Sequence, residues 1–315
     1  MDEHDDDQRF RILVCIDGSE ESYRSLRYAA KMGKGIEADI VLLHVRPMDH
    51  GLRSGGLQVS VARQNMLDWG LELPGIRYLK KGRDVLIEVG YMAPDRRAQT
   101  GHADVAGDPL GDNKIDYIGR NKRRVILKSK VAPDVASGIL EQWEIGKYDL
   151  IILGASERWN RKHVRSFWDA PVAEKVIKHA PCPVMVARQL MVGHSHLIYT
   201  DGSDLAKEVV QRDAQFAHLT ESLVAVIAVA PDVESQPIAA RHAEEARTII
   251  ESMGIDVFET LVRVGDPVEE LVRAGADHSV IVIPDTGETG FKSLFSRNMV
   301  TDLMRRANCS VMVFR

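Results

Sequence analysis

A chain of 315 residues with 44% hydrophobic content is long enough for two domains of ordinary size, each with a core of its own. Its formal charge of −5 offers no electrostatic footprint for a phosphate backbone, so nucleic acid is not an expected partner. No stretch approaches the roughly eighteen apolar residues that span a bilayer, and the opening MDEHDDDQ is acidic where a signal peptide is basic; the expectation is a cytoplasmic protein with no membrane partner.

In chain order, residues 1–9 are acidic with almost no apolar content and read as a solvated tail. Residues 11–16 are apolar nearly throughout, as in a strand covered by helices on both faces, and run into Asp17-Gly18-Ser19. A helix over 19–32 follows, with Tyr23, Leu26, Ala29 and Ala30 on one face, and then a strand over 38–45 that Pro47 ends. The loop over 49–60 holds Ser54-Gly55-Gly56. A pyrophosphatase-type loop would continue to Asp-Ser directly after the first strand, whereas Gln58-Val59 stand here after the second. Residues 61–89 show helical patterns broken by Pro74 and several glycines, and 84–89 reads equally well as a strand. Residues 91–122 read as a mobile surface insertion. Its His102, Asp104, Asp108, Asp112 and Asp116 are cation-ligand types at no EF-hand spacing. A strand over 124–131, a helix over 133–143, a strand over 149–153 ending at Gly154, a helix over 172–178 and a strand over 184–187 complete the first half.

The second half repeats the plan: strand 197–200, helix 204–219, strand 223–229, helix 240–253, strand 256–263 and helix 267–274. It closes with a strand over 280–283, a loop with Gly287 and Gly290, a helix capped by Asn298, and a last strand from Ser310 to Phe314. Ala180-Pro181-Cys182-Pro183-Val184-Met185-Val186 matches Ala307-Asn308-Cys309-Ser310-Val311-Met312-Val313, and Asp17-Gly18-Ser19 matches Asp201-Gly202-Ser203. The predicted organisation is therefore an acidic tail over 1–9, a domain over 10–189 with its insertion around 91–122, a linker over 190–195 and a domain over 196–315. Strands alternating with helices imply an α/β fold of two doubly wound parallel sheets, with ligands beyond the strand carboxyl ends. Two of the three cysteines fall at equivalent repeat positions and read as small buried hydrophobes in a reducing compartment.

These features resemble the universal stress protein family in its tandem form. The resemblance rests on the strand ending in Asp-Gly-Ser, on Leu43-His44-Val45-Arg46-Pro47, on YDLIILG from Tyr148 to Gly154, and on Ala180-Pro181-Cys182-Pro183-Val184. It implies a stress-response regulatory role and a Rossmann-like fold of the adenine-nucleotide alpha-hydrolase type, with strand order 3-2-1-4-5 in each five-stranded sheet. It also implies pairing of the two domains through their last strands, with a homodimer left open. One branch of the family binds ATP through Gly, two residues, Gly, nine residues, then Gly and Ser or Thr. In the first half Gly154 holds the first position, but Glu157 takes the second and Ala170-Pro171 replace the Gly-Ser pair. Glu157 adds negative charge, and Pro171 has no amide hydrogen to donate. Asp17, Val45 and Val172 remain there, at positions that line adenine and ribose in the family. Arg158, Arg161, Lys162, His163 and Arg165, with Trp159 or Trp168 for stacking, either replace the lost amides or form a solvated basic loop.

In the second half Pro284 replaces the first glycine, Gly287 and Gly290 stay with Lys292, and Arg297-Asn298 stand in place of Gly-Ser. Asp201, Val229, Gly287, Gly290, Lys292, Arg297 and Asn298 are accordingly the preferred nucleotide site, for ATP or AMP. No nucleophile with an adjacent base and no metal-ligand cluster accompanies these loops, so neither an enzyme nor a metal is expected. Two functions follow: a regulator whose nucleotide-bound state a partner protein reads, or a nucleotide-free tandem scaffold for partner proteins. Slow ATP hydrolysis ranks last, because the loop it needs is absent.

Overall fold

The computed structural model describes residues 9–48, 72–106, 108–119, 123–155, 170–188, 195–285 and 297–315. The chain divides into two compact units, Met1–Gly154 with Val164–Ala180, and Ala155–His163 with Pro181–Arg315. Both are α/β with mostly parallel strands.

The first unit is centred on β1 (Arg11–Cys15), which lies parallel to β2 (Asp39–Pro47) on one side and β6 (Leu150–Gly154) on the other. Ile12, Leu13, Val14 and Cys15 have no exposed surface, which explains why this strand is apolar at successive positions instead of alternating. β2 pairs in parallel with β5 (Arg124–Ala132). The helices are α1 (Glu20–Gly35), α2 (Pro74–Glu88), α3 (Val135–Ile145) and α4 (Ala170–His179).

One open reading is settled and one expectation fails here. Pro74 opens α2 at a position whose amide has no helical acceptor to lose, and α2 runs on as helix through Glu88, in the stretch that could alternatively have been a strand. A Cβ on Gly82 would lie 2.9 Å from Leu42 Cδ1, so this glycine lets α2 settle against β2. The insertion, expected as mobile surface, is a hairpin of β3 (Ala98–Val105) and β4 (Asp108–Ile118) that extends the sheet antiparallel to β5. Ion pairs fix it where apolar burial is scarce. Arg46 of β2 grips Asp108 through both guanidinium nitrogens, Asp116 is held by Arg124 and by Lys114 at 3.1 Å, and Asp112 accepts the Val131 amide hydrogen at 2.7 Å. Among the described residues no three His, Cys, Asp or Glu side chains form a metal-binding group.

The second unit runs β10 (Val257–Val264), β9 (Leu223–Ala230), β8 (Ser195–Tyr199), β11 (Val280–Pro284), β12 (Ser310–Phe314), all parallel, which is the 3-2-1-4-5 order. Its helices are α5 (Asp204–Leu219), α6 (Gln236–Ser252), α7 (Pro267–Ala274) and α8 (Arg297–Arg306). α6 starts four residues ahead of its expected position, with Pro237 in its first turn. The unit also takes in β7 (Val184–Ala187), the last strand of the first repeat, antiparallel to β12. Val184 faces Val313, Met185 faces Met312 and Val186 faces Val311, so the two matched segments meet through identical residue types. Next to β7, the Arg188 guanidinium donates to the Met304 and Ala307 carbonyls, which belong to the end of α8 and the residue after it. Among the described residues no helix is long and apolar enough to cross a membrane.

His196 of β8 and Asp213 of α5 meet at 2.9 Å, with side chains 1% and 0% exposed. Removing one partner strands a buried polar group, so His196→Leu is expected to cost about 3–5 kcal/mol in urea unfolding; a loss below about 1 kcal/mol contradicts that role. Cys15, Cys182 and Cys309 are all buried, and burial pushes the Cys309 thiol up to about 11. None of the three should be alkylated by iodoacetamide at neutral pH before the chain unfolds, as peptide mass spectrometry would show.

Candidate functional site

Both units turn from first strand to first helix by the same device. Gly18 and Gly202 take φ of +89° and +76°, in the left-handed region that favours glycine. Asp17 Oδ1 accepts from the Ser19 amide at 2.9 Å and from its hydroxyl at 2.5 Å; Ser19 Oγ in turn caps α1 by accepting from Ser22 N. In the second unit Asp201 Oδ1 accepts from the Ser203 amide at 3.0 Å, and Ser203 caps α5 through Ala206 N. Each aspartate therefore sits past the carboxyl end of a central parallel strand, beside a helix N-terminus. In the second unit this is also where β8 has β9 on one side and β11 on the other, the place where ligands lodge in such sheets.

Two aromatic rings that sequence reasoning missed pack on these turns. A Cβ on Gly18 would lie 2.7 Å from the Tyr78 ring, and one on Gly202 would run into the His242 ring. Both come from the helix that follows the second strand of their repeat, α2 and α6, and no spacing or motif marks them in the sequence. Tyr78 meets His44 edge-on at 5.7 Å, and His44 donates through Nδ1 to the Ile16 carbonyl at 2.7 Å. Burial holds the His44 pKa below its ordinary value, against the raising influence of that carbonyl and of Asp17.

The expected first-unit residues are placed as follows. Asp17 lies half-buried at the turn, while Val45 is 1% exposed and contributes a floor, not an open side chain. Gly154 closes β6, and a Cβ there would lie 3.0 Å from both Ser22 N and Ser25 Oγ, so the start of α1 packs closely on the end of β6. Val172 lies half-buried in the first turn of α4, directly behind Ala170 and Pro171. In the second unit Asp201 is half-buried and Val229 is 3% exposed. Arg297 opens α8, which puts Asn298 second in the helix instead of at the N-cap; its amide still belongs to the first turn, which has no helical acceptor. Gly287, Gly290, Lys292, Glu157, the basic loop over 158–165 and Ser54 to Gly56 lie outside the described residues. Asp285, also missed, follows Pro284 and is nearly fully buried, with Arg315 Nε 3.4 Å from its carboxylate.

Gly154→Ala is expected to destabilise the chain by about 1–3 kcal/mol, measured by thermal or urea unfolding, because the new methyl would press on the α1 backbone at Glu21 and Ser22 as well as on the Ser25 hydroxyl. A neutral result would mean that α1 can retreat.

The sequence matches the family model described as the universal stress protein family over residues 9–73, 113–188 and 196–315, leaving out α2 and most of the hairpin. A universal stress protein from Archaeoglobus fulgidus DSM 4304 has a similar structure, with TM-score 0.61 at 16% identity, over 98% of this chain and 99% of its own. One from Pseudomonas aeruginosa UCBPP-PA14 gives TM-score 0.58 at 16% identity, over 98% and 94%. The universal stress protein from Archaeoglobus fulgidus in complex with dAMP matches 40% of this chain and 100% of its own, with TM-score 0.33 at 23% identity. No curated protein matches the chain.

Proposed function

The chain belongs to the universal stress protein family, and from that premise we propose that it is a stress-response regulator that binds an adenine nucleotide, ATP or AMP, in its second unit. The observation that supports this unit over the first is the state of the two aspartates. One Asp201 oxygen accepts the Ser203 amide hydrogen, and among the described residues no other hydrogen bond reaches that carboxylate. Asp17 spends one oxygen on both the amide and the hydroxyl of Ser19. A half-buried carboxylate with acceptor capacity left, at the carboxyl end of a central strand, suits the hydroxyl of a ribose or the amino group of a base. The first-turn amides of α8 suit the phosphates, Arg297 adds a cation by its sequence position, and Arg315 offsets the charge of Asp285.

In this reading the protein acts in the cytoplasm through partner proteins and performs no catalytic step. The rings packed on Gly18 and Gly202 favour a second reading, a nucleotide-free tandem scaffold, because a ligand approaching either turn meets a side chain already there.

Calorimetric titration with ATP, ADP and AMP, together with native mass spectrometry for nucleotide carried through purification, separates the two. Binding to the wild type is expected, weakened about tenfold or more in Asp201→Ala by loss of a buried hydrogen bond and changed less than about twofold in Asp17→Ala. Absence of both heat and carried ligand leaves the scaffold, and the opposite order of the two variants moves the site to the first unit.

A further inference from the structure

The hairpin that the family model largely omits builds a pocket of its own. It lies between β3, β4, β5 and α3, has a volume of about 250 Å³, and is lined by His102, Asp112, Lys114, Lys128, Lys130 and Gln142 among others. Its chemistry follows from the strand register. Lys114 of β4 stands directly opposite Lys128 of β5 in an antiparallel pair, where like charges destabilise. Lys130, two residues further along β5, shares the same face. Three ammonium groups thus crowd one patch.

Two of them are compensated. Lys114 pairs with Asp116 at 3.1 Å; Lys130 pairs with Glu141 at 3.0 Å and with Asp112 at 3.4 Å. Lys128 differs, because it donates to Gln142 Oε1 at 3.1 Å, and among the described residues no carboxylate lies within ion-pair distance of it. Gln142 is only 1% exposed and is itself anchored to the Gly138 carbonyl, so the amide holds the ammonium in place without neutralising it. Leaving a half-buried cation opposite another cation raises the free energy of the fold unless something anionic completes the arrangement.

We propose that this pocket binds a small oxyanion, of phosphate or short-chain carboxylate type, with the Lys128 ammonium as its principal ligand and Lys114 and Lys130 beside it. The volume is that of about eight water molecules, enough for such an ion and below the usual size of a nucleotide pocket. Burial, reinforced by Lys114, Arg11 and Lys130 and opposed by Asp112, pushes the Lys128 pKa down to about 8. An anion seated against it would push the value back up. His102, at the rim, has its pKa raised by Asn113 and Asp104, adding positive charge as the pH falls. The site stands apart from the Asp-Gly-Ser turn and does not rest on nucleotide binding.

Isotopic trace acetylation of the full chain with acetic anhydride, read lysine by lysine by mass spectrometry at pH 8, tests the proposal. With millimolar affinity, 10 mM inorganic phosphate or acetate is expected to slow labelling of Lys128 about tenfold relative to chloride at the same ionic strength. Lys31, exposed on α1, should label equally in all three. Protection by phosphate alone or by acetate alone supports the site and names its ligand class. The Lys114→Gln variant, which leaves Lys128 in place, should lose most of the protection. The phosphate-induced rise in melting temperature should vanish in Lys128→Gln. Equal labelling of Lys128 in phosphate, acetate and chloride overturns the proposal, as does a phosphate effect undiminished in Lys114→Gln.

Discussion

The structure depends on how a buried strand is converted into a helix within three residues, twice. The chain has to reverse at the carboxyl end of a fully covered parallel strand, so one residue must take a left-handed conformation, and Gly18 and Gly202 do. The aspartate before the glycine accepts the amide hydrogen of the serine after it, and that serine caps the helix. Direction and backbone hydrogen bonding are settled together. The helix N-terminus is left beside the strand ends, which puts a positive dipole end next to a carboxylate in each unit.

The same device has opposite consequences in the two repeats. In the first, the opening turn of α1 comes so close to β6 that a Cβ at position 154 would lie 3.0 Å from Ser22 N, and the end of β6 is committed to packing against the helix. In the second, Pro284 ends β11, the buried Asp285 after it has the exposed Arg315 beside it, and Asp201 keeps acceptor capacity that Asp17 has partly used. Two copies of one plan have thus separated in chemistry while keeping one topology. The copies still meet through matched segments, since β7 lies antiparallel on β12 with Val184, Met185 and Val186 facing Val313, Met312 and Val311. A pairing of this kind is self-complementary, as in an isologous interface, although both strands here belong to one polypeptide.

Most of the α/β plan was legible because parallel strands buried on both faces announce themselves as apolar runs, and because Ser19 and Ser203 sit where caps are expected. What failed to show was stabilised by other means. β3 reads AQTGHADV, exposed along nearly its whole length, and β4 owes its place to Asp108 and Asp116 meeting Arg46 and Arg124; neither strand carries an apolar stripe. α2 was obscured because a proline at the first turn and glycines packed on neighbouring side chains look like breakers in one dimension. At the candidate site, Asp201 and Val229 follow from strand position, whereas Tyr78 and His242 reach the turns only through the tertiary packing of α2 and α6. No local pattern encodes that packing.

The hairpin also changes what the molecule presents to other chains. Without it, β5 would expose a row of unpaired amides and carbonyls beside well-buried aliphatic residues, a template on which a stray strand could grow. With it, the outermost rung on that side among the described residues is β3, interrupted by Gly101 and carrying His102 and Asp104, a polar selvedge that gives an incoming strand little to hold. The cell would meet this in crowded conditions, where resistance to edge-to-edge aggregation decides how much of a protein stays in solution.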